Sequence, residues 1–239
     1  MVLRLSVAVA LALFTLVISV QPASAAVVVY DNLSTWQSNA NQTAATVDFS
    51  AFAPTPGSNL PNQSSIVAGN ATITSPTDFV GVYNPSPAEW WYQWNTGGAI
   101  LRSENNSAGA IRVDLAAALT AMALNVGVPK YDGANYLPSQ VTLQVGSGAV
   151  VLWQDTLPTP AKPDSRFVGI VATEAFNWVL VTPALNYSVI DDLRLGEALA
   201  GQPPPGPDPQ PAPEPWVLFS AGSGLVAMGI KRYRMARTT

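Results

Sequence analysis

Gln140-Val141-Thr142-Leu143-Gln144-Val145, followed by Gly146-Ser147-Gly148, has the pattern of a β-strand and its turn. Val141, Leu143 and Val145 alternate with polar residues, so an extended chain carries three apolar side chains on one face and leaves Thr142 and Gln144 on the other. The Gly-Ser-Gly turn separates this run from residues 150–154 closely enough for a hairpin. Ile111, Val113 and Leu115 alternate in the same way with Arg112 and Asp114. Further runs of strand length lie at 27–30, 46–49, 71–74, 79–83, 121–127, 167–171, 177–182 and 188–195, with turn clusters such as Pro54-Thr55-Pro56-Gly57 and Tyr131-Asp132-Gly133 between them. Eleven short strands predict an all-β, two-sheet β-sandwich, with a jelly roll as the arrangement. One short helix is expected at 33–40, capped by Asn32 or Ser34.

Both ends of the chain read differently. Arg4 precedes an apolar run at 5–20 and then Gln21-Pro22-Ala23-Ser24-Ala25-Ala26. A cationic start, an apolar stretch and an Ala-x-Ala site make residues 1–25 a secretory signal peptide, cleaved after Ala25. The sandwich then occupies 26–199. From Gly201 to Pro215 the chain carries eight of its 21 prolines, so 200–212 is a linker in extended polyproline II. Beyond it, residues 216–230 are free of charge, and 231–239 hold Lys231, Arg232, Arg234 and Arg237, four of the chain's 11 cations. As a single hydrophobic helix the 15 residues of 216–230 reach only about 22 Å, against about 30 Å of hydrocarbon. That suits a transient hold in the membrane, with Trp216 at one interface and the cationic end in the cytoplasm. An ordinary, slightly short tail anchor is the competing reading.

Pro213-Glu214-Pro215, the short apolar segment and the terminal arginines stand in order over 213–239, and this tail resembles the PEP-CTERM sorting signal of exported bacterial proteins. The resemblance implies recognition of Pro213, Glu214 and Pro215 by an exosortase, a transient stay in the inner membrane, and delivery to the cell surface or extracellular matrix of a Gram-negative bacterium. The order of the remaining pieces is similar to the globular region of many such proteins, which look like galactose-binding-type jelly rolls. Tyr30-Asp31-Asn32 with its helix, Val47-Asp48-Phe49, Phe167-Val168-Gly169-Ile170 and Val189-Ile190-Asp191-Asp192-Leu193 carry that second resemblance.

Between Ala26 and Ala212 six cations face 14 carboxylates, a balance of −8, which argues against nucleic acid as a partner. With no histidine and no cysteine, the Ser-His-Asp, Cys-His and His-metal constellations cannot form within one chain, so no enzyme is expected. A carboxylate-dependent glycoside hydrolase is a distant alternative. Its obvious pair, Asp191 and Asp192, would point to opposite faces of a strand.

Two features carry a binding hypothesis beside a packing one. In Glu89-Trp90-Trp91-Tyr92-Gln93-Trp94, the rings of Trp90, Tyr92 and Trp94 share one face if extended; with Trp91 they would stack on the apolar faces of sugars, or else pack a loop onto the sandwich. Asp191 falls in phase with Val189, Leu193 and Leu195, so a buried carboxylate is expected to find a partner. Calcium held by Asp31, Asp191 or Asp192 is one choice, with no cofactor otherwise required; backbone N–H bonds, or a bulge that turns Asp191 outward, are the others. Six Asn-x-Ser/Thr sequons, beginning with Asn32 and ending with Asn186, add a weak pointer to glycosylation. The function expected is an exported surface or exopolysaccharide-matrix protein whose globular domain binds glycans. A structural or adhesion protein without a small ligand is the alternative.

Overall fold

In a computed structural model, residues 25–86, 94–95, 98–103 and 109–199 are described. They form β1 (Val27–Tyr30), α1 (Leu33–Gln37), β2 (Ala40–Gln42), β3 (Asn59–Gln63), β4 (Ile66–Ala68), β5 (Ala71–Thr74), β6 (Val80–Tyr83), β7 (Ile100–Ser103), β8 (Ile111–Gly127), β9 (Lys130–Tyr131), β10 (Tyr136–Leu137), β11 (Ser139–Ser147), β12 (Val150–Thr159), β13 (Arg166–Pro183) and β14 (Val189–Ala198). Twelve strands share one hydrogen-bonded network, and β9 and β10 pair separately.

Two long strands turn that network into a sandwich. The first half of β8 lies between β5 and the second half of β13, while its second half lies between β14 and the first half of β13. The β8–β13 register breaks between Val171 and Phe176 and again before Trp178, and there both strands fold over together. One layer therefore runs β4-β5-β8-β13-β11-β12, and the other runs β1-β13-β8-β14-β7-β6-β3 with β2 beside the end of β14. Val113, Leu143 and Val179 from the first layer meet Leu124, Val168 and Ile170 from the second in one continuous core. The result is the all-β, two-sheet, jelly-roll-type sandwich that the alternation predicts.

Several local readings change. Residues 111–115 and 121–127 belong to a single strand, because the three alanines 116–118 carry the chain round without a breaker. Residues 167–171 and 177–182 likewise belong to β13. The expected strand at 46–49 shrinks to one bridge, Val47 to Leu193, since Phe49 takes a left-handed φ of 59°. Helix α1 stops at Gln37, three residues early, and Ala40 starts β2 instead. Asn32 is its cap, accepting from the Thr35 N–H at 2.8 Å. Among the described residues, no helix is long and apolar enough to cross a membrane; 1–24 and 200–239, with the signal peptide, linker and sorting motif expected there, lie outside them.

The second layer has two distinct ends. At one end the Ala26 carbonyl accepts from the Thr173 N–H while its N–H donates to the Thr173 hydroxyl, and the Leu199 N–H donates to Asn39 O, so the described chain enters and leaves there. That end includes Ala121, paired with Val171 and Gly196. Gly127, paired with Val189, marks the other end, about 20 Å further along β8 at about 3.3 Å per residue.

Candidate functional site

At this far end the outer face of the second layer carries a belt of rings and cations. β6, β7 and β14 lie side by side, with Tyr83 opposite Ile100 and Arg102 opposite Val189. Alternation sends Val82 and Leu101 into the core, so Tyr83, Ile100 and Arg102 face outward. Trp94 covers them, packing with Ile100, Val189, Tyr83 and Tyr187. Its seat is Gly127, where an added Cβ would lie 2.2 Å from the Trp94 ring. Only a glycine admits the indole that close.

Two cations hold the rings in place. The Arg102 guanidinium lies 4.8 Å from the Tyr83 ring centre and 4.6 Å from that of Tyr187. Lys162 Nζ lies 4.8 Å from the Tyr136 ring and 5.7 Å from the Trp94 ring, and donates to the Tyr136 hydroxyl at 3.5 Å. Such contacts strengthen as water is removed, and here Arg102 is 8% and Lys162 5% exposed. Burial, helped by the nearby Arg102 charge, pushes the Lys162 amine down to about 8. Burial also raises the Tyr136 hydroxyl, with Tyr131 adding to the shift.

Neighbouring loops fix this arrangement. Asn95 donates its N–H to Pro163 O at 2.8 Å and its side-chain amide to Asp164 at 2.7 Å, tying the Trp94 segment to the Lys162 loop. Asn186 donates to Pro129 O at 2.8 Å, joining the Tyr187 segment to the chain before β9. Tyr83, Tyr136 and Tyr187 remain half-buried, so part of each ring faces solvent.

The sequence-derived site residues divide. Trp94 belongs to the belt but is only 7% exposed, so it is a packing member. Trp90, Trp91 and Tyr92 lie outside the described residues. Asp191 is buried at 3% exposure, as expected, but its strand phase is not the expected one. Asp192 takes a left-handed φ of 53°, and the β14–β8 register breaks between Asp191 and Arg194. This bulge leaves Leu193 and Leu195 in the core and puts Val189 and Asp191 on the outer face. The Asp191 carboxylate accepts from the Asp192 N–H at 2.7 Å, while the Asp192 carboxylate accepts from Asn125 at 3.1 Å and pairs with Arg194 at 3.2 Å.

Asp31 is not brought to them. It follows β1, and β13 and β8 stand between β1 and β14, a separation of about 14 Å at about 4.8 Å per strand. Among the described residues, no three acidic side chains come together as metal ligands.

Tyr83, Arg102, Tyr136, Lys162 and Tyr187 have no place in the sequence reading, because strand register rather than spacing unites them. One signal was available. Arg102 is a charge directly after the apolar run Ala99-Ile100-Leu101, and a cation buried in a strand calls for aromatic or acidic neighbours.

No family model matches the chain, and no curated protein matches it in sequence. Among solved structures it is similar to TmCBM61, determined in complex with β-1,4-galactotriose, at 14% identity and a TM-score of 0.26, covering 53% of this chain and 88% of that one. It is also similar to CsCBM6-3 from Clostridium stercorarium, determined with cellobiose, at 13% identity and a TM-score of 0.28, covering 59% of this chain and 92% of that one.

Proposed function

We propose that this is an exported, non-catalytic surface protein that binds glycans through the ring-and-cation belt at the far end of its second layer. One observation carries the reading: Arg102 and Lys162 are deeply buried among Tyr83, Tyr187, Tyr136 and Trp94, and three of these rings are left half-open to solvent. Aromatic faces take the C–H faces of pyranose rings, and the polar tips of tyrosines supply hydroxyl partners. Rings pinned by cations lose little freedom on binding, so little of the stacking energy is lost to ordering them. Trp90, Trp91 and Tyr92 shortly precede Trp94 in the sequence and add stacking side chains of the same kind.

Export and sorting rest on the ends of the sequence. Residues 1–25 act as the signal peptide, and Pro213-Glu214-Pro215 with 216–239 acts as the signal read by an exosortase at the inner membrane. Fractionation of cells carrying Glu214→Ala tests this, with an uncleaved protein retained in the membrane as the expected result. Normal delivery of that variant to the surface contradicts it.

Affinity electrophoresis of the full-length chain in gels containing β-1,4-galactan, xylan or hydroxyethylcellulose tests the binding reading. Retardation in at least one gel is expected. Unchanged mobility in all three favours the second reading, a matrix or adhesion component without a small ligand, which the burial of Trp94 supports.

A further inference from the structure

β9 and β10 pair only with each other, outside the 12-stranded network. A ribbon of two residue pairs has little stability of its own, so its position depends on its anchors. The Asp132 carboxylate closes its turn, accepting from the Ala134 and Asn135 N–H groups at 2.9 and 2.8 Å, and Gly133 supplies the φ of 99° the turn needs. Tyr136 anchors the ribbon to the belt through Lys162. Tyr131 stands opposite Tyr136, with ring centres 5.3 Å apart and planes tilted by 52°.

Tyr131 is 54% exposed. A single exposed ring is ordinary on a protein surface, but this one is held rigidly. Its hydroxyl donates to Gly133 O at 3.0 Å, and its ring rests against one that a buried cation fixes. Contacts link it through Tyr136, Lys162 and Trp94 to Tyr83 and Tyr187, at the end of the layer away from Ala26 and Leu199.

We propose that Tyr131 is the accessible stacking residue of the glycan site, with Tyr136 and Lys162 as its positioning residues. One pyranose ring of a polysaccharide lies on Tyr131, and the adjoining sugars run along the belt toward Tyr83 and Tyr187. The inference rests on the glycan-binding reading above. It adds that capture happens on the ribbon, at the end of the layer away from Ala26 and Leu199.

The test uses the full-length chain and the three polysaccharide gels already named. Tyr131→Ala is expected to lose about tenfold in affinity for whichever polymer the unsubstituted chain binds, with no change in melting temperature. Tyr131→Trp is expected to keep binding, because the stacking face survives. The chain has no cysteine, so Ala134→Cys coupled to a maleimide-polyethylene glycol is a steric block at the ribbon that leaves the Asp132 turn bonds in place. Glu174→Cys, at the fold-over of β13, is the matched control. Blocking at 134 but not at 174 supports the inference. If the unsubstituted chain binds while Tyr131→Ala and the blocked 134 variant bind equally well, the ribbon has no role and the glycan reading stands. If the unsubstituted chain binds none of the three polymers, both fall together.

Discussion

The two layers of the sandwich treat their outer faces in opposite ways. On the first layer the outer side chains satisfy one another: Gln144 donates to Gln154 at 2.5 Å, Thr142 bonds Thr156 at 2.9 Å, and Arg112 pairs with Asp114 at 2.8 Å while lying over Trp178. Such a face is finished by its own ladders and stays open to water, apart from Trp178, whose buried indole lies over Gly146. The outer face of the second layer is covered. Trp36 of α1 closes one end over Gly169 and donates to Ile170 O at 3.2 Å, and Trp94 closes the other over Gly127. In both places an added Cβ would fall within 2.5 Å of the indole, so the glycines are seats cut for the rings. The difference lies in what surrounds each indole. Trp36 sits among aliphatic side chains with Tyr30 and Phe167, whereas Trp94 meets Lys162 and half-open tyrosines that Arg102 and Lys162 hold. The first is a structural lid, and the second is a lid with chemistry in it.

Trp36→Ala should give the largest effect, a loss of about 3–5 kcal/mol in urea unfolding, with polysaccharide affinity per folded molecule unchanged. Gly127→Ala should cost less, about 1–3 kcal/mol from overpacking beneath Trp94, yet remove more binding than its unfolded fraction explains. If both variants lose binding only in proportion to unfolding, the two lids are equivalent and the distinction fails.

Lys162 gives a smaller and pH-dependent signature. Its amine sits at about 8 in the folded protein against a usual 10.5, so between these values the unfolded chain binds more protons and stability rises with pH. The slope from this group approaches about 1.4 kcal/mol per pH unit. Above pH 10 Tyr30 and Tyr136, both raised by burial, work the other way. Urea unfolding at pH 7.5, 8.5 and 9.5 should therefore show a rise that Lys162→Met lacks. An identical pH profile would mean that Lys162 is solvated and that the belt is looser than described.

The smallest effect concerns the open edge of the first layer. β12 is an edge strand of 10 residues, a shape prone to pairing with another chain. Its outward groups are blunted: Asp155 accepts from the Thr156 N–H at 2.7 Å, Pro158 has no N–H, and Arg166 donates to Pro158 O at 2.9 Å. Pro158→Thr should leave stability within about 0.5 kcal/mol but raise self-association in sedimentation. A monomer at every concentration would show that the edge needs no guard.

The same contrast explains what the sequence revealed. Strands of the first layer have one wet face, so residues 140–145 and 111–115 alternate visibly. In the second layer Ile100, Leu101, Arg102 and Ser103 are all buried, and a strand covered on both faces shows no alternation to read. Strands as short as β9 and β10 fall below any periodic signal. The Asp191 phase failed for a local reason, because one left-handed residue, Asp192, shifts every later side chain by one face. Trp94 was legible as part of an aromatic run. Its partners at 83, 102, 136, 162 and 187 are scattered along the chain, and only strand register and loop anchors gather them.

Hydrogen exchange of the full-length chain, with and without a polysaccharide that retards it, locates the bound surface. New protection is expected at 98–103, 127–137, 160–166 and 184–190, and none in 140–146 or 178–182. Protection confined to the outer face of the first layer, around Thr142, Gln144 and Leu180, would put binding away from the belt.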